Sequence, residues 1–406
     1  MDIKNVKNII VVDDDRSIRV VVSTALSRAG YNVKSSGTAA GMWRLVESDF
    51  ANILITDVGL PDGDALDVLP KLQKMKPNLK IIVMSARTTL LTAVRAEKKG
   101  AFEYLPKPFD LDELLKLVSN TLLVQNTEIN NFPSNNSSKS IYDSGPVIGK
   151  SSAMQEIYKK ISRIVNTDLS VLISGESGTG KKLIAKSIHD LSMSNNKIFL
   201  ILNIQFFDNY KFEELIKKFK DFTSNVINSI EDLSGCSIYI KNITESTSTE
   251  QKNFLNFLET DLTQLTVNNR KFIKPRIFVS TKSNIYNDVA KGIFREDLYY
   301  RLNVVPIKMP SLKDRFEDIP DLSLHFLKKY FQNKFIHRSI SNEGINLLKE
   351  YSWPGNVREL ENVIERLCLL SSTENILPSL IQEVLSEDRL FVENKYEENL
   401  ETYFKN

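Results

Sequence analysis

The stretch Leu169-Ser-Val-Leu-Ile-Ser-Gly-Glu-Ser-Gly-Thr-Gly-Lys-Lys182 determines the fold of the larger part of this chain. An apolar run, residues 169–174, leads directly into a glycine-rich loop with the pattern GxxxxGK. Glycines let backbone N–H groups surround phosphates, and the helix that follows adds its dipole. The stretch therefore predicts a strand, a helix and, between them, phosphate-binding residues Gly175, Glu176, Ser177, Gly178, Thr179, Gly180, Lys181 and Lys182.

Three residues depart from what ATP hydrolysis requires. The later strand Ser237–Ile240 ends in Lys241-Asn242, where hydrolytic relatives of such loops carry the acids that hold Mg²⁺ and polarise water. Position 182 is lysine, where most such loops have the Ser or Thr that holds Mg²⁺. We therefore expect the domain to bind ATP and to turn it over negligibly.

Length and composition limit the class of protein. A chain of 406 residues fits two or three domains, and 42% hydrophobic with 26% charged residues is typical of soluble globular proteins. No stretch approaches the roughly 20 apolar residues of a membrane span, so we expect a cytoplasmic protein. The two cysteines, Cys236 and Cys368, support neither a disulfide framework nor a zinc site. With 53 basic against 51 acidic residues, the overall charge does not favour nucleic-acid binding.

The spacing of apolar residues divides the chain. Residues 1–124 alternate strand-like runs with helical patterns, the βαβ rhythm of a doubly wound parallel sheet. Residues 125–146, rich in Asn, Ser and Pro, are predicted to be a linker. A second α/β unit, the phosphate-loop domain, follows over 147–310, with a helical lid over 311–375 and an acidic tail over 376–406.

Polar side chains follow several strands of the first predicted sheet. Asp13 and Asp14 end the first strand and Asp57 ends the third, so a parallel sheet brings them to its carboxyl edge. Crowded carboxylates repel each other unless a hard cation joins them, which suits Mg²⁺. Ser85 and Lys107 end the next two strands, where a hydroxyl and an ammonium could contact a phosphoryl group on Asp57.

This set of residues resembles the receiver domain of two-component response regulators over residues 1–124. The resemblance implies that a sensor histidine kinase phosphorylates Asp57, which acts as a carboxylate nucleophile. It assigns Ser85 and Tyr104 as a switch pair that responds to the phosphoryl group. The magnesium ligands implied by the resemblance are Asp14, Asp57 and the Gly59 carbonyl, with Asp13 acting through water.

The remaining motifs resemble the AAA+ domain of sigma-54-dependent transcriptional activators, so the whole chain resembles the NtrC/NtrX group. They are Val147-Ile148-Gly149, the GESGTGK loop, Phe294-Arg-Glu-Asp-Leu298, Tyr300-Arg-Leu-Asn-Val304 and Trp353-Pro-Gly-Asn-Val-Arg-Glu-Leu360. By position, Arg295 and Arg301 are implied to be arginine fingers and Arg358 a nucleotide sensor. The resemblance also implies Mg²⁺ and ATP as cofactors, a homo-oligomer, and sigma-54 RNA polymerase and DNA as partners.

Three departures weigh against full family activity. The acids expected of the AAA+ domain fall on Lys241 and Asn242. The Gly-Ala-Phe-Thr-Gly-Ala loop that contacts sigma-54 is absent between Gly180 and Gly235, where the sequence predicts a plain helix. Residues 371–406 contain no helix-turn-helix and are acidic, so we expect no specific DNA binding by this chain, because acidic residues repel phosphates.

Two classes of function remain open. One is a phosphorylation-controlled transcription regulator that works with sigma-54 polymerase. The other is a non-enzymatic, protein-binding module in which the receiver controls an AAA+ body that binds ATP without hydrolysing it. A truncated or decaying gene product is a third alternative. We favour a regulatory protein, not an enzyme, that derives from the first class and works more like the second, with sigma-54 activation weakened or lost.

Overall fold

The computed structural model describes residues 7–48, 50–86, 89–123, 147–192, 198–207, 234–260, 266–267, 270–271, 274–282, 284–331, 338–371 and 373–386. The chain divides into two compact units, residues 1–141 with 158–163 and residues 142–157 with 164–406. Each unit contains a five-stranded parallel sheet, which confirms the predicted α/β class. Within the described part, no helix has the length and apolar character needed to cross a membrane.

The first unit is a doubly wound sheet of alternating strands and helices. Its strands are β1 (Asn8–Val12), β2 (Asn32–Ser36), β3 (Ile53–Asp57), β4 (Gly59–Leu60), β5 (Gly63–Asp64), β6 (Lys80–Ser85) and β7 (Glu103–Pro106). Its helices are α1 (Arg16–Arg28), α2 (Ala39–Glu47), α3 (Ala65–Met75), α4 (Leu90–Lys98) and α5 (Leu111–Leu123). The sheet order is β2-β1-β3-β6-β7, while β4 and β5 form a separate antiparallel pair.

The central strands of this sheet are apolar along their whole length because both faces are covered. Val22 and Leu26 of α1 and Leu114 of α5 belong to one core cluster with alternate residues of β1, β3 and β6. The intervening residues, such as Ile10 and Leu54, are equally buried, so the opposite face is covered as well. Continuous Ile and Val runs therefore form the strands here. The functional polar side chains, such as Asp57 and Ser85, lie at the ends of the strands.

Acidic side chains fix the loops at the carboxyl edge of this sheet. The Asp15 carboxylate accepts hydrogen bonds from the backbone of Ser17 and Ile18 and so begins α1. The Asp62 carboxylate, in the loop after β3, accepts from the backbone N–H groups of Ala39 and Ala40 at 2.7 and 2.9 Å. This contact ties the loop that follows Asp57 to the first turn of α2.

The second unit contains another parallel sheet and a helical lid. Its strands are β8 (Val171–Ser174), β9 (Phe199–Leu202), β10 (Ser237–Ile240), β11 (Thr266–Val267), β12 (Arg270–Lys271), β13 (Arg276–Thr281), β14 (Val305–Lys308), β15 (Ser339–Ile340) and β16 (Asn375–Ile376). Its α-helices are α6 (Ser152–Ile164, of which residues 158–163 are grouped with the first unit), α7 (Lys181–Leu191), α8 (Ser248–Glu259), α9 (Ile285–Ala290), α10 (Glu296–Leu302), α11 (Ile319–Phe331), α12 (Asn342–Glu350) and α13 (Asn356–Leu370). The 3₁₀ turns are Ile204–Phe207, Ile243–Glu245 and Lys313–Asp318.

The main sheet of this unit has the order β14-β8-β13-β10-β9. The sequence predicted four of these strands within one or two residues of their ends and missed β14. That strand carries Pro306 and lies at the sheet edge, where proline is tolerated because no inward N–H is required. Helices α8, α9 and α10 were also not predicted.

The lid has its own apolar core around α11 and α13. Trp353, only 1% exposed, donates its indole N–H to the Leu348 carbonyl at 2.7 Å. Ile381 and Val384 are buried in the same core, so the lid continues beyond the predicted end at residue 375. The predicted linker 125–146, the predicted helix within 208–233 and residues 387–406 of the acidic tail lie outside the described residues.

One buried carboxylate holds the start of the lid against the start of α6. Asp318, which is fully buried, accepts hydrogen bonds from the backbone of Lys150 at 2.7 Å and of Ser151 at 2.8 Å. Its second oxygen accepts the Ser151 hydroxyl at 2.8 Å. The carboxylate thus satisfies donors at the beginning of α6 that the helix itself cannot pair.

We expect Asp318→Ala to lower the free energy of unfolding of the second unit by about 2–4 kcal/mol, because buried N–H donors lose their acceptor. Urea unfolding followed by Trp353 fluorescence in a Trp43→Phe background measures this. Asp321→Ala, three residues on, is the matched control: its side chain is 45% exposed and pairs with the exposed Lys150 ammonium, so this change should alter stability by less than about 1 kcal/mol. Equal effects of the two changes would contradict the anchoring role.

Candidate functional site

Carboxylates and one lysine meet at the carboxyl edge of the first sheet. Asp13 follows β1, Asp57 ends β3 and Lys107 follows β7. The Lys107 ammonium lies 2.5 Å from an Asp13 oxygen and 2.8 Å from an Asp57 oxygen. Asp13 is fully buried and Asp57 is 8% exposed, so this ion-pair cluster lies largely out of water.

The charges in this cluster depend on each other. Burial disfavours the Lys107 ammonium, but hydrogen bonds to Asp13 and Asp57 outweigh burial and raise the pKa of Lys107 above its ordinary value. Burial raises the pKa of Asp13, and the contact with Lys107 offsets part of that effect. The second Asp57 oxygen accepts the Gly59 backbone N–H at 3.0 Å, which orients the carboxylate.

The predicted switch residues lie next to this cluster. Ser85 ends β6 and is 2% exposed, and Tyr104 in β7 is 5% exposed. The two side chains share a hydrogen bond, and the Lys107 backbone N–H donates to the Ser85 carbonyl at 2.8 Å. Burial raises the pKa of Tyr104 to about 12, so the phenol keeps its proton at neutral pH.

The predicted magnesium ligands surround the same edge. Asp14 is exposed beside the buried Asp13, and Gly59 follows Asp57 by two residues. The donors are all oxygens, which matches a hard cation that takes few carboxylates and completes its shell with water. In the described part of the chain, no group of three or more His, Cys, Asp or Glu side chains is arranged to hold a metal ion. The predicted set of two carboxylates and one backbone carbonyl would leave several positions of a Mg²⁺ shell to water or phosphate oxygens, as Mg²⁺ sites commonly do.

The phosphate-binding loop of the second unit connects β8 to α7. Gly175, Gly178 and Gly180 have φ values of 145°, 79° and 98°, a region that side-chain-bearing residues rarely adopt. The Lys181 ammonium donates to the carbonyls of Gly175 at 2.5 Å and Glu176 at 2.6 Å. The loop therefore curls around the ammonium group of its own lysine.

Residues of the lid hold this loop in place. Asn356, at the start of α13, donates its amide to the Glu176 carboxylate and the Ser177 carbonyl at 2.9 and 3.0 Å. A Cβ added at Gly178 would lie 2.0 Å from the Gly355 carbonyl oxygen, so only glycine fits there. Arg315, 3% exposed, donates to the Thr179 carbonyl at 2.9 Å.

A cavity of about 1100 Å³ adjoins the loop. Val147, Ile148, Leu322 and Phe326 supply an apolar side that suits a flat ring such as a nucleotide base. Among the described residues that line it, the only carboxylate is Glu361, whereas the cations are Lys181, Lys182, Lys241, Lys282, Arg315, Lys328, Lys329 and Arg358. Such a lining favours a polyanion.

Lys241 and Asn242 lie where the sequence placed them, at the carboxyl end of β10 and on the cavity wall. Asn242 has φ 46°, and its backbone N–H donates to the Ser280 hydroxyl at 3.2 Å. Three residues on, the Glu245 carboxylate accepts from Lys282 at 2.7 Å and from the Asn242 amide at 3.4 Å. This carboxylate is therefore paired and is not among the residues that line the cavity.

The three arginines implied by the resemblance fall into two groups. Arg358, in the first turn of α13, lines the cavity. Arg295 and Arg301, before and within α10, do not line it. Arg295 pairs with Asp297 at 2.6 Å, and Arg301 contacts the Leu258 carbonyl at 3.5 Å. The structure thus brings Arg358 alone of the three to the phosphate loop of the same chain.

Sequence reasoning missed several residues of this site. Lys282 directly follows β13, and the rule that located Ser85 at a strand end would have found it. Arg315 lies in the 3₁₀ turn Lys313–Asp318 with φ −135° and ψ 41°, and no local pattern marks its contact with Thr179. The Asn356 contact with the loop joins residues 180 positions apart.

Three protein families match successive parts of the chain. Residues 9–119 match the Response regulator receiver domain, residues 147–308 the Sigma-54 interaction domain, and residues 313–396 the AAA+ ATPase lid domain. These matches agree with the two parallel-sheet bodies and the helical lid of the structure.

Several known proteins are similar over most of the chain. The DNA-binding transcriptional regulator NtrC of Bradyrhizobium sp. (strain RP501 Parasponia) is 39% identical over 381 residues, 92% of this chain and 78% of that protein. NtrC of Rhizobium meliloti (strain 1021) is 37% identical over 417 residues, 98% of this chain and 85% of that protein. A crystal structure of NtrX from Brucella abortus in complex with ATP is 28% identical, covers 98% of this chain and 94% of that chain, and has a TM-score of 0.48. With a receiver, a sigma-54 interaction domain and this level of identity to the NtrC proteins, the chain belongs to the NtrC family of two-component response regulators.

Proposed function

We propose that this response regulator accepts a phosphoryl group on Asp57 and that its AAA+ domain binds ATP with negligible hydrolysis. The observation that carries the first half is the position of the Lys107 ammonium, 2.8 Å from the Asp57 carboxylate. The second half rests on an intact phosphate loop beside Lys241 and Asn242. Sigma-54 interaction is the function of the matching family, and its strength in this chain belongs to the proposal.

The phosphoryl transfer proposed for Asp57 is a nucleophilic displacement. A carboxylate oxygen of Asp57 attacks phosphorus, an O–P bond forms, and the P–N bond to the kinase imidazole breaks as the imidazole leaves. The Gly59 N–H holds one carboxylate oxygen, and Lys107 contacts the other. Lys107 can then pair with the oxygens of the transferred group, because it already bridges Asp13 and Asp57.

Mg²⁺ would be held by Asp14, Asp57 and the Gly59 carbonyl, with Asp13 acting through water. When bound, it supplies charge neutralisation for the phosphoryl oxygens. The protein itself places the nucleophile and a positively charged partner in a largely buried site.

Ser85 and Tyr104 supply the readout in this proposal. Their shared hydrogen bond means that a phosphoryl oxygen that attracts the Ser85 hydroxyl also changes the partner of the buried Tyr104 phenol. Ser85 ends β6 and Tyr104 lies within β7, which packs against α4, so we expect the change to reach the surface formed by α4 and β7. A cognate sensor histidine kinase is the proposed phosphodonor.

The proposed loss of hydrolysis follows from the groups that meet at the nucleotide cavity. Lys241 and Asn242 cannot polarise a water molecule as a carboxylate does, and Glu245 is held by Lys282. Loss of these groups costs several kcal/mol of activation free energy, or many powers of ten in rate. Arg295 and Arg301, which lie outside this cavity, are proposed to exchange their present contacts for the ATP of a neighbouring copy in a homo-oligomer.

We also propose the domain limits for this function. They are a receiver over 1–124, a linker over 125–146, the AAA+ domain over 147–310 and a lid from 311. The family matches over 9–119, 147–308 and 313–396 support the first three boundaries, and the last match overlaps the predicted acidic tail.

A second candidate function is a phospho-switched protein-binding module. It is favoured by Lys241 and by the pairing of Glu245 with Lys282, because both argue against ATP hydrolysis.

Incubation with a small phosphodonor or a cognate histidine kinase in the presence of Mg²⁺ should place a phosphoryl label on Asp57. The label should be acid-labile and sensitive to hydroxylamine, as expected for an acyl phosphate. The label should disappear in Asp57→Asn. Asp67→Asn, at an exposed carboxylate on α3, is the matched control and should label like the wild type. Label retained by Asp57→Asn would show that the acceptor lies elsewhere.

Fluorescent-nucleotide titration should show saturable ATP binding that Lys181→Ala weakens by about tenfold or more, since the lysine contacts the outer phosphates. Lys291→Ala, at an exposed lysine outside the cavity, should bind like the wild type. Steady-state turnover at the rates of active AAA+ proteins, lost in Lys181→Ala, would contradict the proposal. Recovery of turnover in Lys241→Asp with Asn242→Glu would attribute the loss to these two positions.

A further inference from the structure

We propose that the AAA+ domain takes ATP as the metal-free tetraanion, with the ammonium groups of Lys182 and Lys241 in place of Mg²⁺. This inference rests on the proposed ATP binding and specifies the ionic form of the ligand. Two positions of a phosphate-loop protein ordinarily hold the metal, the residue after the loop lysine and the acid at the neighbouring strand end. Both are lysine here, and both line the cavity.

The described residues at the cavity do not fit a divalent cation. The nearest carboxylate along the chain, Glu245, is occupied by Lys282 at 2.7 Å and by the Asn242 amide. The Thr179 hydroxyl donates to the Glu176 carbonyl at 2.9 Å, so it is turned back into the loop. The Glu176 carboxylate accepts the Asn356 amide at 2.9 Å. The carboxylates of Glu245 and Glu176 and the Thr179 hydroxyl, which are the kinds of oxygen ligand that Mg²⁺ prefers, are thus engaged by other groups of the described part of the chain.

The charge of the wall points in the same direction. Cations outnumber carboxylates among the described lining residues, and the one carboxylate, Glu361, pairs with Lys329 at 2.8 Å. Burial lowers the pKa of Lys181, and the nearby positive charges of Lys282 and Arg358 lower it further. Adding a divalent cation would increase this repulsion. Four negative charges on metal-free ATP relieve it, whereas the magnesium complex of ATP carries only two.

The placement of the two lysines suits the phosphates. Lys182 is in the first turn of α7, directly after the loop, and Lys241 follows β10 on the same wall. Both side chains are exposed, so they can turn toward a ligand without breaking a buried contact. Ammonium groups bind phosphate oxygens as mobile point charges and need no fixed coordination shell. Two lysines can therefore replace the cation in binding, although they leave no water-polarising carboxylate.

Titration of the full-length protein with fluorescent ATP analogue, and competition by unlabelled ATP, tests the inference in two buffers of equal ionic strength. One contains excess EDTA and the other millimolar MgCl₂. Equal ionic strength matters because salt screens exposed charges. We expect the Kd in EDTA to be equal to that in MgCl₂ or lower, by about threefold or more if the extra phosphate charge is fully used. A Kd about tenfold higher in EDTA would overturn the inference.

The variant Lys182→Thr with Lys241→Asp restores the oxygen ligands and should reverse the preference, with ATP binding about tenfold tighter in MgCl₂ than in EDTA. Lys116→Thr with Lys291→Asp makes the same chemical changes at exposed lysines outside the cavity and should behave like the wild type. A double variant that binds ATP equally in both buffers would contradict the role of the two lysines. The same titrations with Asp57→Asn separate any effect of metal on the receiver.

The outcomes distinguish this inference from the proposed function. If the wild type binds ATP only with MgCl₂, metal-free binding is refuted while ATP binding stands. If it binds ATP in neither buffer, ATP binding itself is refuted, and this inference fails with it. If ATP binds in EDTA and no turnover occurs in either buffer, both are supported.

Discussion

Parallel strand pairing is the constraint on which both functional regions depend. Every strand of the two five-stranded sheets runs in the same direction, so residues that follow different strands meet at one edge. In the first sheet this brings Asp13 and Lys107, 94 residues apart, into contact. In the second it brings the phosphate loop, Lys241 and Lys282 to one cavity. The apolar residues within the strands form the packed cores, and the residues at the strand ends supply the charged and polar groups of the two sites.

The carboxyl edges of the two sheets have opposite charge: carboxylates gather at the first and cations at the second. At the first edge, buried carboxylates need a positive charge, and Lys107 supplies it within 3 Å of both Asp13 and Asp57. At the second edge, clustered cations need a negative charge, which the described wall does not provide apart from Glu361. The first arrangement is suited to receiving a phosphoryl group, and the second to retaining a polyphosphate.

The lid contributes to the nucleotide site through backbone geometry as much as through charge. Asn356, with φ 55°, directs its amide to the Glu176 carboxylate and the Ser177 carbonyl and accepts the Leu312 N–H at 2.7 Å. Gly178 lies so close to the Gly355 carbonyl that a side chain at position 178 would clash with the lid. Asp318 adds a buried anchor at the other end of the lid. The conformation of the loop therefore depends on contacts with the start of α13.

The sequence by itself determined both α/β bodies, the phosphate loop and the acidic strand ends, because each depends on local features: apolar runs of strand length, glycines in fixed order, and polar residues directly after a strand. It did not predict β14, which is short and contains Pro306. Only the tertiary structure brought Arg315 to Thr179 and Asn356 to Glu176, because these contacts join residues 136 and 180 positions apart. It also showed that Glu245 is paired with Lys282 and that cations surround the loop, since charge balance at a cavity depends on which elements fold together.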